Sequence, residues 1–335
     1  MLVVRPAGPA DFSALMELAI LSGPGFTSLP EHEPTLRERL EVSKASFEGR
    51  LPREQRWYTI MLEDLETHEV IGVAGVKAAV GMKRPFFSFR IMTFAQSSPT
   101  LDMRFDHRAL VLVNECTGWS EVGSLFLKAE RRKGGAGQLL ALSRYLLIAA
   151  DPEQFSENVL AELRGVFDDD GGSPFWDCVT SKFFRMPFNK ADEMSASTNG
   201  QFILDLAPRH PIYVDLLPKR ARDVVGEVHK DGEAARALLA REGFRPTGLI
   251  DIFDAGPTVS CPRDDIRTVR DSVRATVEVV DVVDGPMTLV ATAQIGRFRA
   301  VRVPAVQDGE RVRLAPEAAG ALGVSDGETV RLRKV

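Results

Sequence analysis

A basic, glycine-rich turn that joins a predicted strand to a predicted helix is the segment of this sequence best suited to bind phosphate groups. The residues assigned to this segment are Leu125, Leu127, Arg132, Lys133, Gly134, Gly135 and Gly137. Glycines let backbone N–H groups approach an anion closely, and a helix amino terminus adds a favourable dipole. The basic side chains can pair with phosphates at the rim of the turn. The pattern predicts a site for a pyrophosphate-containing ligand such as coenzyme A, unless the turn is only a glycine-rich helix start.

Two other nucleotide-binding patterns do not fit this turn. It lacks the Lys-Ser/Thr pair of a P-loop and the glycine spacing of a dinucleotide fingerprint. The pattern Arg132-x-x-Gly135-x-Gly137 resembles the acyl-CoA signature of the GNAT N-acyltransferase superfamily. In that superfamily the loop follows a strand whose separated end receives the pantetheine arm. The resemblance implies that Leu125 to Leu127 form this strand.

His229 is the side chain that we select as an acid–base catalyst. It lies in the polar, turn-forming stretch 226–232 between two predicted helices, where side chains often face a cleft. Imidazole titrates near neutral pH. Attack of an amine on a thioester needs a base, oxyanion donors and an acid for the departing thiolate. The alternative interpretation is an exposed loop histidine without a role.

Cys116 offers a different chemistry, covalent catalysis by a thiolate. No histidine lies beside it in sequence, and a small buried thiol is the favoured interpretation. No cluster of His, Cys and Asp has the spacing of metal ligands, so the sequence predicts no metal site. The three cysteines include no CxxC pair, and their odd number argues against a disulfide framework.

Composition excludes several classes of protein. The chain has 335 residues, 44% hydrophobic and 27% charged, which are ordinary values for a soluble enzyme. Its net charge of −5 argues against a nucleic-acid partner, and no apolar run is long enough to cross a membrane. Together with the unpaired cysteines, these features predict a cytoplasmic protein.

The elements that must position the turn and His229 alternate between strand and helix. This alternation predicts a mixed α/β sheet of GNAT type in two related lobes. From about Val277, short strands broken by Gly, Asp and Pro predict a small C-terminal β-barrel appendage. We therefore divide the chain into an acyl-CoA-binding lobe at 1–195, a second αβ lobe carrying His229 at 196–276 and the appendage at 277–335.

Local patterns predict individual elements within these lobes. Thr35–Glu38 has the sequence of a capping box and predicts the start of a helix. Trp57–Glu63 and Val70–Val76, separated by a polar turn, predict a hairpin. Phe202–Leu206 is interpreted as a strand, and Glu233–Glu242 as a helix.

Beyond the turn, the chain resembles the arginine N-succinyltransferase family from Val4 to about Val280. The strings that carry the resemblance are Phe26-Thr-Ser-Leu-Pro30, Ala161-Glu-Leu-Arg-Gly165, Ser173-Pro-Phe-Trp176, His210-Pro-Ile-Tyr213 and Asp251-Ile-Phe-Asp254-Ala-Gly-Pro-Thr258. Where the family has Asn-Asp-His-Thr-Gly, this chain has Asn114-Glu-Cys-Thr-Gly118. That departure leaves substrate contacts near Cys116 open.

The resemblance implies that succinyl-CoA is the donor and the α-amine of L-arginine the acceptor. Transfer would be direct, in a ternary complex, with succinyl-CoA as co-substrate and no permanently bound cofactor. A succinyl-CoA contact falls on Leu125, and a proton donor to the departing thiolate falls on His229. Members also occur as paired chains, so we expect a homodimer or pairing with a related chain.

Charge complementarity suggests residues for the two substrates. A succinyl carboxylate requires an arginine fork, for which Arg90 and Arg164 are candidates. A guanidinium requires carboxylates, and Glu115, Glu121 and Glu162 are available. Each of these charges could instead serve a surface or structural ion pair.

Two other functions remain open at this point. The chain could be an N-acyltransferase that acts on ornithine or another basic amine. It could also be a non-catalytic partner subunit that binds acyl-CoA. A panel of acceptors separates the first alternative from the main prediction, and turnover by the purified chain separates the second.

Overall fold

A computed structural model describes residues 1–23, 26–83, 85–188, 190, 191, 194 and 201–335. In these residues the strands form one sixteen-stranded sheet with helices packed against it. The strands are β1 Leu2–Pro6, β2 Trp57–Asp64, β3 Glu69–Lys77, β4 Ser88–Ser98, β5 Met103–Val113, β6 Ser120–Leu127, β7 Asn158–Glu162, β8 Ile212–Tyr213, β9 Arg245–Asp251, β10 Pro257–Pro262, β11 Val273–Val279, β12 Met287–Thr292, β13 Ala300–Pro304, β14 Val306–Asp308, β15 Arg311–Leu314 and β16 Thr329–Lys334. The α-helices are α1 Phe12–Ser22, α2 Glu33–Phe47, α3 Ala136–Ala150, α4 Ser181–Phe184, α5 Gln201–Leu206, α6 Lys219–Arg222, α7 Glu233–Arg241, α8 Arg267–Asp271 and α9 Pro316–Leu322.

The strand order mixes early and late parts of the chain. Across the described residues it runs β14-β15-β11-β16-β12-β13-β1-β2-β3-β6-β7-β10-β9-β4-β5-β8. Neighbouring strands are antiparallel except for the parallel pairs β6–β7 and β11–β15. The predicted hairpin is confirmed, since β2 and β3 pair from Trp57–Lys77 to Asp64–Glu69. The prediction of a mixed α/β sheet is confirmed as well.

Side chains that alternate along β2 divide the main core between the two faces of the sheet. Ile60 and Leu62 pack with α3 on one face, whereas Met61 packs with α1 and α2 on the other. Helix α3 is buried from Leu139 to Ala150 on all its sides. A helix enclosed in this way is held firmly, so its amino end can present a fixed turn to a ligand.

A second core surrounds Trp176. This side chain is 2% exposed, and its ring lies 5.6 Å from Phe253 and 5.9 Å from Phe184. The cluster also takes Phe89 from β4 and Leu110 from β5. The aromatic residues at 175 and 176 therefore belong to a core, as their helical spacing favours.

The strands β11 to β16 and helix α9 enclose a third core of their own. Val290, Val301 and Leu332 are fully buried or nearly so, and Val3 of β1 packs among them. Pairing of β13 with β1 makes this C-terminal unit continuous with the main sheet. Among the described residues these strands pair in the order β14-β15-β11-β16-β12-β13. Closure of this unit into a barrel stays a prediction. The division into two related lobes stays a prediction as well.

Two local predictions were wrong. Phe202–Leu206 belongs to helix α5, where Ile203 is buried in the core around Trp176 and Phe202 contacts Phe184. An apolar run this short satisfies both helix and strand periods, so its neighbours decide its conformation. Helix α2 begins at Glu33 with His32 as its cap, two residues before the predicted capping box.

Candidate active site

A cavity of about 560 Å³ lies where β6 and β7 separate. The two strands pair in parallel at Ser120–Val159 and Glu121–Leu160, and the pairing between them ends after these two residue pairs. Beyond that point both strands line the cavity, together with the loop after α1, the glycine turn and α7. An extended ligand can therefore lie between the strands and meet backbone groups of β6.

An irregularity in β6 widens this gap. The register between β3 and β6 shifts between Val73 and Gly75, opposite Ser124. Ser124 adopts a left-handed conformation with φ of 50°, and its hydroxyl donates to the carbonyl of Ser28 at 3.0 Å. A non-glycine residue in this conformation is uncommon and re-aims the strand. Leu125 follows the irregularity and lines the cavity.

The glycine turn forms one end of the cavity. Helix α3 starts at Ala136, and its cap Gly135 has φ of 84°, a conformation that favours glycine. The guanidinium of Arg132 donates to the carbonyl of Leu127 at 3.1 Å, which holds the turn against β6. Of the residues predicted to bind the co-substrate, the ones that line the cavity are Leu125, Leu127, Arg132, Lys133, Gly135 and Gly137. Gly134 lies between two of them in the turn.

His229 lies beside the cavity, in the turn that precedes α7. Its neighbours Asp231 and Gly232 line the cavity, whereas its own side chain is 11% exposed. The backbone N–H of Asp231 donates to its Nδ1 at 3.2 Å, so the proton of the neutral ring is on Nε2. Burial lowers the pKa of His229, with a further contribution from the charge of Arg164. The backbone N–H of His229 donates to the carbonyl of Arg164 at 2.8 Å, which ties the turn to the segment after β7.

Buried carboxylates gather at the far end of the cavity. Glu121, Glu162, Asp251 and Asp254 all line it. Burial raises the pKa of Glu162 well above its usual range, and the charges of Asp251 and Glu121 add to the rise. Burial also raises the pKa values of Asp251 and Asp254, although backbone N–H groups donate to both side chains. A cation that enters this end would stabilise the ionised form of these carboxyl groups.

The cavity also contains two partly or fully buried arginines. Arg164 lies 4.7 Å above the ring of Phe167, and burial lowers its pKa. Arg144 on α3 is 3% exposed, its Nε donates to the carbonyl of Ala141 at 3.0 Å, and burial lowers its pKa too. Both guanidiniums can meet an anionic part of a substrate.

The structure places two of the predicted substrate residues elsewhere. Arg90 and Glu115 form an ion pair with each other and do not line the cavity. Cys116 is 1% exposed, and burial raises the pKa of its thiol to about 11. Since the thiolate is the nucleophile, this environment does not favour covalent catalysis.

Sequence reasoning missed several residues of the cavity. Ser28, Asp251 and Asp254 contributed only to family strings, and Ser124 and Arg144 were not singled out. The Asp-x-x-Asp spacing is a usable signal, because Asp251 Oδ1 accepts from the backbone of Phe253 and Asp254 in a tight turn. The irregularity at Ser124 has no comparable signature in the sequence.

Two family models match nearly the whole chain. Residues 2–268 match the model described as arginine N-succinyltransferase beta subunit, and residues 273–332 match its C-terminal domain. The chain belongs to the arginine N-succinyltransferase family. The resemblance read from the sequence is thus confirmed, and the protein is an acyltransferase.

Individual members of the arginine N-succinyltransferase family agree along their full length. The arginine N-succinyltransferase of Yersinia pestis strain Pestoides F is 41% identical over 340 residues, which cover 99% of this chain and 97% of that protein. That of Escherichia coli O17:K52:H18 is 40% identical over 339 residues, with the same coverage. The solved arginine/ornithine succinyltransferase subunit AI from Pseudomonas aeruginosa has a TM-score of 0.91 and 35% identity, covering 100% of this chain and 98% of that one.

The described residues include neither a metal-binding cluster nor a membrane-spanning helix. No group of three His, Cys, Asp or Glu side chains there could hold a metal ion. No helix in the same ranges is long and apolar enough to span a membrane.

Proposed function

We propose that this chain transfers the succinyl group of succinyl-CoA to the α-amine of L-arginine in a ternary complex. The observation that carries the proposal is one cavity that connects a basic glycine turn with a set of buried carboxylates. The first end suits the phosphates of a donor, and the second suits a cationic acceptor. The relatives are named arginine N-succinyltransferases, which supports succinyl transfer to arginine.

The donor would lie along β6. Its pyrophosphate would accept hydrogen bonds from the backbone at Gly135 to Gly137, with Arg132 and Lys133 at the rim. Its pantetheine arm would pair with β6 in the gap left by β7. The thioester would then reach the irregularity at Ser124, close to Leu125. Succinyl-CoA serves here as a co-substrate, and the proposed reaction uses no permanently bound group.

The acceptor would occupy the carboxylate end. Glu121 already pairs with Lys77 at 2.6 Å, so Glu162 and Asp254 are better placed to bind a guanidinium. Arg164 is within reach of an anionic group, either the succinyl carboxylate or the α-carboxylate of the acceptor. Arg90 and Glu115 are not part of this proposal, because they pair with each other outside the cavity.

His229 would supply the proton for the leaving group. The amine attacks the thioester carbonyl, and the C–S bond breaks as the amide forms. A proton released from nitrogen can enter His229 at Nδ1, where the carboxylate of Asp231 lies 3.5 Å away. The resulting imidazolium can donate from Nε2 to the departing sulfur, which leaves a neutral ring with its proton on Nδ1. Exchange with solvent then returns the proton to Nε2, and Nδ1 again accepts from the backbone N–H of Asp231. The negative charge that develops on sulfur would offset the lowered pKa of His229.

We also infer a cytoplasmic location and an assembly of two chains, as a homodimer or with a related chain. Cys116, Cys178 and Cys261 are free thiols, which suits a reducing compartment. The β4–β5 hairpin exposes Met103 and Phe105, and such apolar positions are typical of protein contacts. Light scattering of the purified chain measures its oligomeric state directly.

Release of free thiol by the purified chain tests the proposed reaction. We expect release that depends on L-arginine with succinyl-CoA and much less with acetyl-CoA. L-Ornithine belongs in the acceptor panel, because the structural relative from Pseudomonas aeruginosa is named for both amino acids. If the chain binds succinyl-CoA but releases no thiol with any acceptor, the partner-subunit alternative replaces this proposal.

A further inference from the structure

Arg302 extends from the C-terminal unit to the glycine turn. It lies on β13, and its Nη1 donates to the carbonyl of Gly134 at 3.3 Å. A β-carbon at position 135 would lie 2.6 Å from Nη1 and 2.9 Å from Cζ of this side chain. The guanidinium therefore packs directly on the backbone of the turn that begins α3.

The charge of Arg302 is not balanced by the protein. In the described part of the chain, no carboxylate lies within 4.0 Å of Arg302, Arg132 or Lys133, and the buried Nε of Arg302 has no hydrogen-bond partner. Two neighbouring basic residues differ in this respect: Lys128 pairs with Glu69, and Arg131 pairs with Glu69 and Asp64.

Three uncompensated cations thus surround the amino end of a fifteen-residue helix. Their mutual repulsion and the positive end of the helix dipole both disfavour this arrangement in the absence of an anion. A bound anion with several negative charges would offset this electrostatic repulsion.

We propose that Arg302 binds the phosphate groups of coenzyme A. This inference rests on the proposed function, in which the turn holds the donor. A guanidinium presents several N–H donors in one plane and binds phosphate oxygens in pairs. The C-terminal unit would then complete the donor site, since Arg302 comes from outside the residues that line the cavity. Both the pyrophosphate and the 3′-phosphate of coenzyme A offer oxygens that this guanidinium could bind.

A purely structural role for Arg302 makes a different prediction. Its hydrogen bond to Gly134 could hold the turn in shape for any donor, including one without phosphate. Direct phosphate binding affects only ligands that carry phosphate. Succinyl-pantetheine, which keeps the thioester and lacks phosphates at that end, separates the two roles.

The experiment compares R302M and R302K with R311M, a matched control on β15 of the same unit whose side chain is exposed. Affinities for coenzyme A and 3′-dephospho-coenzyme A are measured by calorimetry, and turnover of succinyl-pantetheine by thiol release. We expect R302M to weaken coenzyme A binding by about tenfold or more, the scale of a lost charge-assisted hydrogen bond. R302K should retain part of the affinity. R311M should bind coenzyme A as the wild type does. The turnover of succinyl-pantetheine by R302M should equal that of the wild type.

Each outcome has one meaning. A loss with coenzyme A alone assigns Arg302 to the 3′-phosphate, and an equal loss with the dephospho form assigns it to the pyrophosphate. Unchanged binding of both ligands by R302M, or an equal loss with succinyl-pantetheine, overturns the inference. If the wild type itself does not bind coenzyme A, the proposed function fails instead. R302Q carries the same test should R302M not fold.

Discussion

Individual side chains in and beside this cavity have pKa values shifted from those in water. His229 is held neutral by burial and by the charge of Arg164, with its Nδ1 accepting from the backbone of Asp231. Glu162, Asp251 and Asp254 are biased toward the protonated form. Groups with shifted pKa values in a cleft are typical of catalytic sites, and two predictions follow from their chemistry.

His229→Ala removes the proposed proton donor. We expect kcat for succinyl transfer to fall by about 10²- to 10⁴-fold, the usual contribution of acid–base catalysis. The Kd for succinyl-CoA should change little, because the proposed donor site is formed by the glycine turn and β6. His68→Ala is the control, since His68 lies exposed in the β2–β3 turn. Unchanged kcat with chemistry rate-limiting would remove the proton-donor assignment.

The carboxylate end should make acceptor binding depend on pH. The pKa of Glu162 is raised, so its carboxylate, which we propose binds the guanidinium, becomes charged only as pH rises above the usual carboxylic range. We expect the KM for L-arginine to fall as pH rises above the usual carboxylic range in the wild type, and more gently in Glu162→Gln. Steady-state kinetics at saturating succinyl-CoA give both curves. Identical curves for the two proteins would show that Glu162 does not bind the acceptor.

Among the elements, the glycine turn could be predicted and the widened strand could not. The positive φ at Gly135 and the basic charge of Arg132 both leave signatures in the sequence. The left-handed Ser124 does not, because its conformation is imposed by pairing with β3 and by its bond to Ser28. Arg302 was missed for a related reason: the packing that brings it to Gly135 joins positions far apart in the chain.

Alanine substitutions in the turn separate backbone conformation from packing. Gly134 has φ of 63° with nothing near a β-carbon, whereas Gly135 has φ of 84° and Arg302 against it. Gly134→Ala should cost about 1–2 kcal/mol of conformational strain, measured as stability to urea. Gly135→Ala should cost more and weaken coenzyme A binding further, because it also displaces the guanidinium. Equal effects in calorimetry and unfolding would mean that Arg302 does not restrain position 135.

At the scale of the whole molecule, a buried ion pair joins the C-terminal unit to the end of α7. Arg333 of β16 lies 2.7 Å from Glu242, and the two side chains are 9% and 3% exposed. The second carboxylate oxygen of Glu242 accepts from the backbone N–H of Thr268 at 2.7 Å. The C-terminal unit therefore contacts both the glycine turn and the helix that follows His229.

Loss of Arg333 should destabilise the entire chain. Arg333→Met leaves Glu242 buried without its partner, and we expect a loss of about 3–5 kcal/mol in the free energy of unfolding. The double variant R333M/E242Q should recover part of this loss, because it removes the unpaired charge. Arg313→Met, which breaks the exposed pair with Glu278, should cost less than about 1 kcal/mol. Denaturant unfolding measures all three, and equal stabilities of R333M and R313M would contradict the expectation.

The pairing of β1 with β13 has a consequence for how the chain folds during synthesis. Strand β1 leaves the ribosome long before Ala300–Pro304, the strand that pairs with one of its edges. Until then Val3 has no C-terminal core to enter, and the edge of β1 is open to other chains. The chain thus combines a local hairpin, β2–β3, that can form early with the β1–β13 pair, whose strands are far apart in sequence. Completion of the sheet, and of the proposed donor site with Arg302, therefore waits until Ala300–Pro304 has left the ribosome.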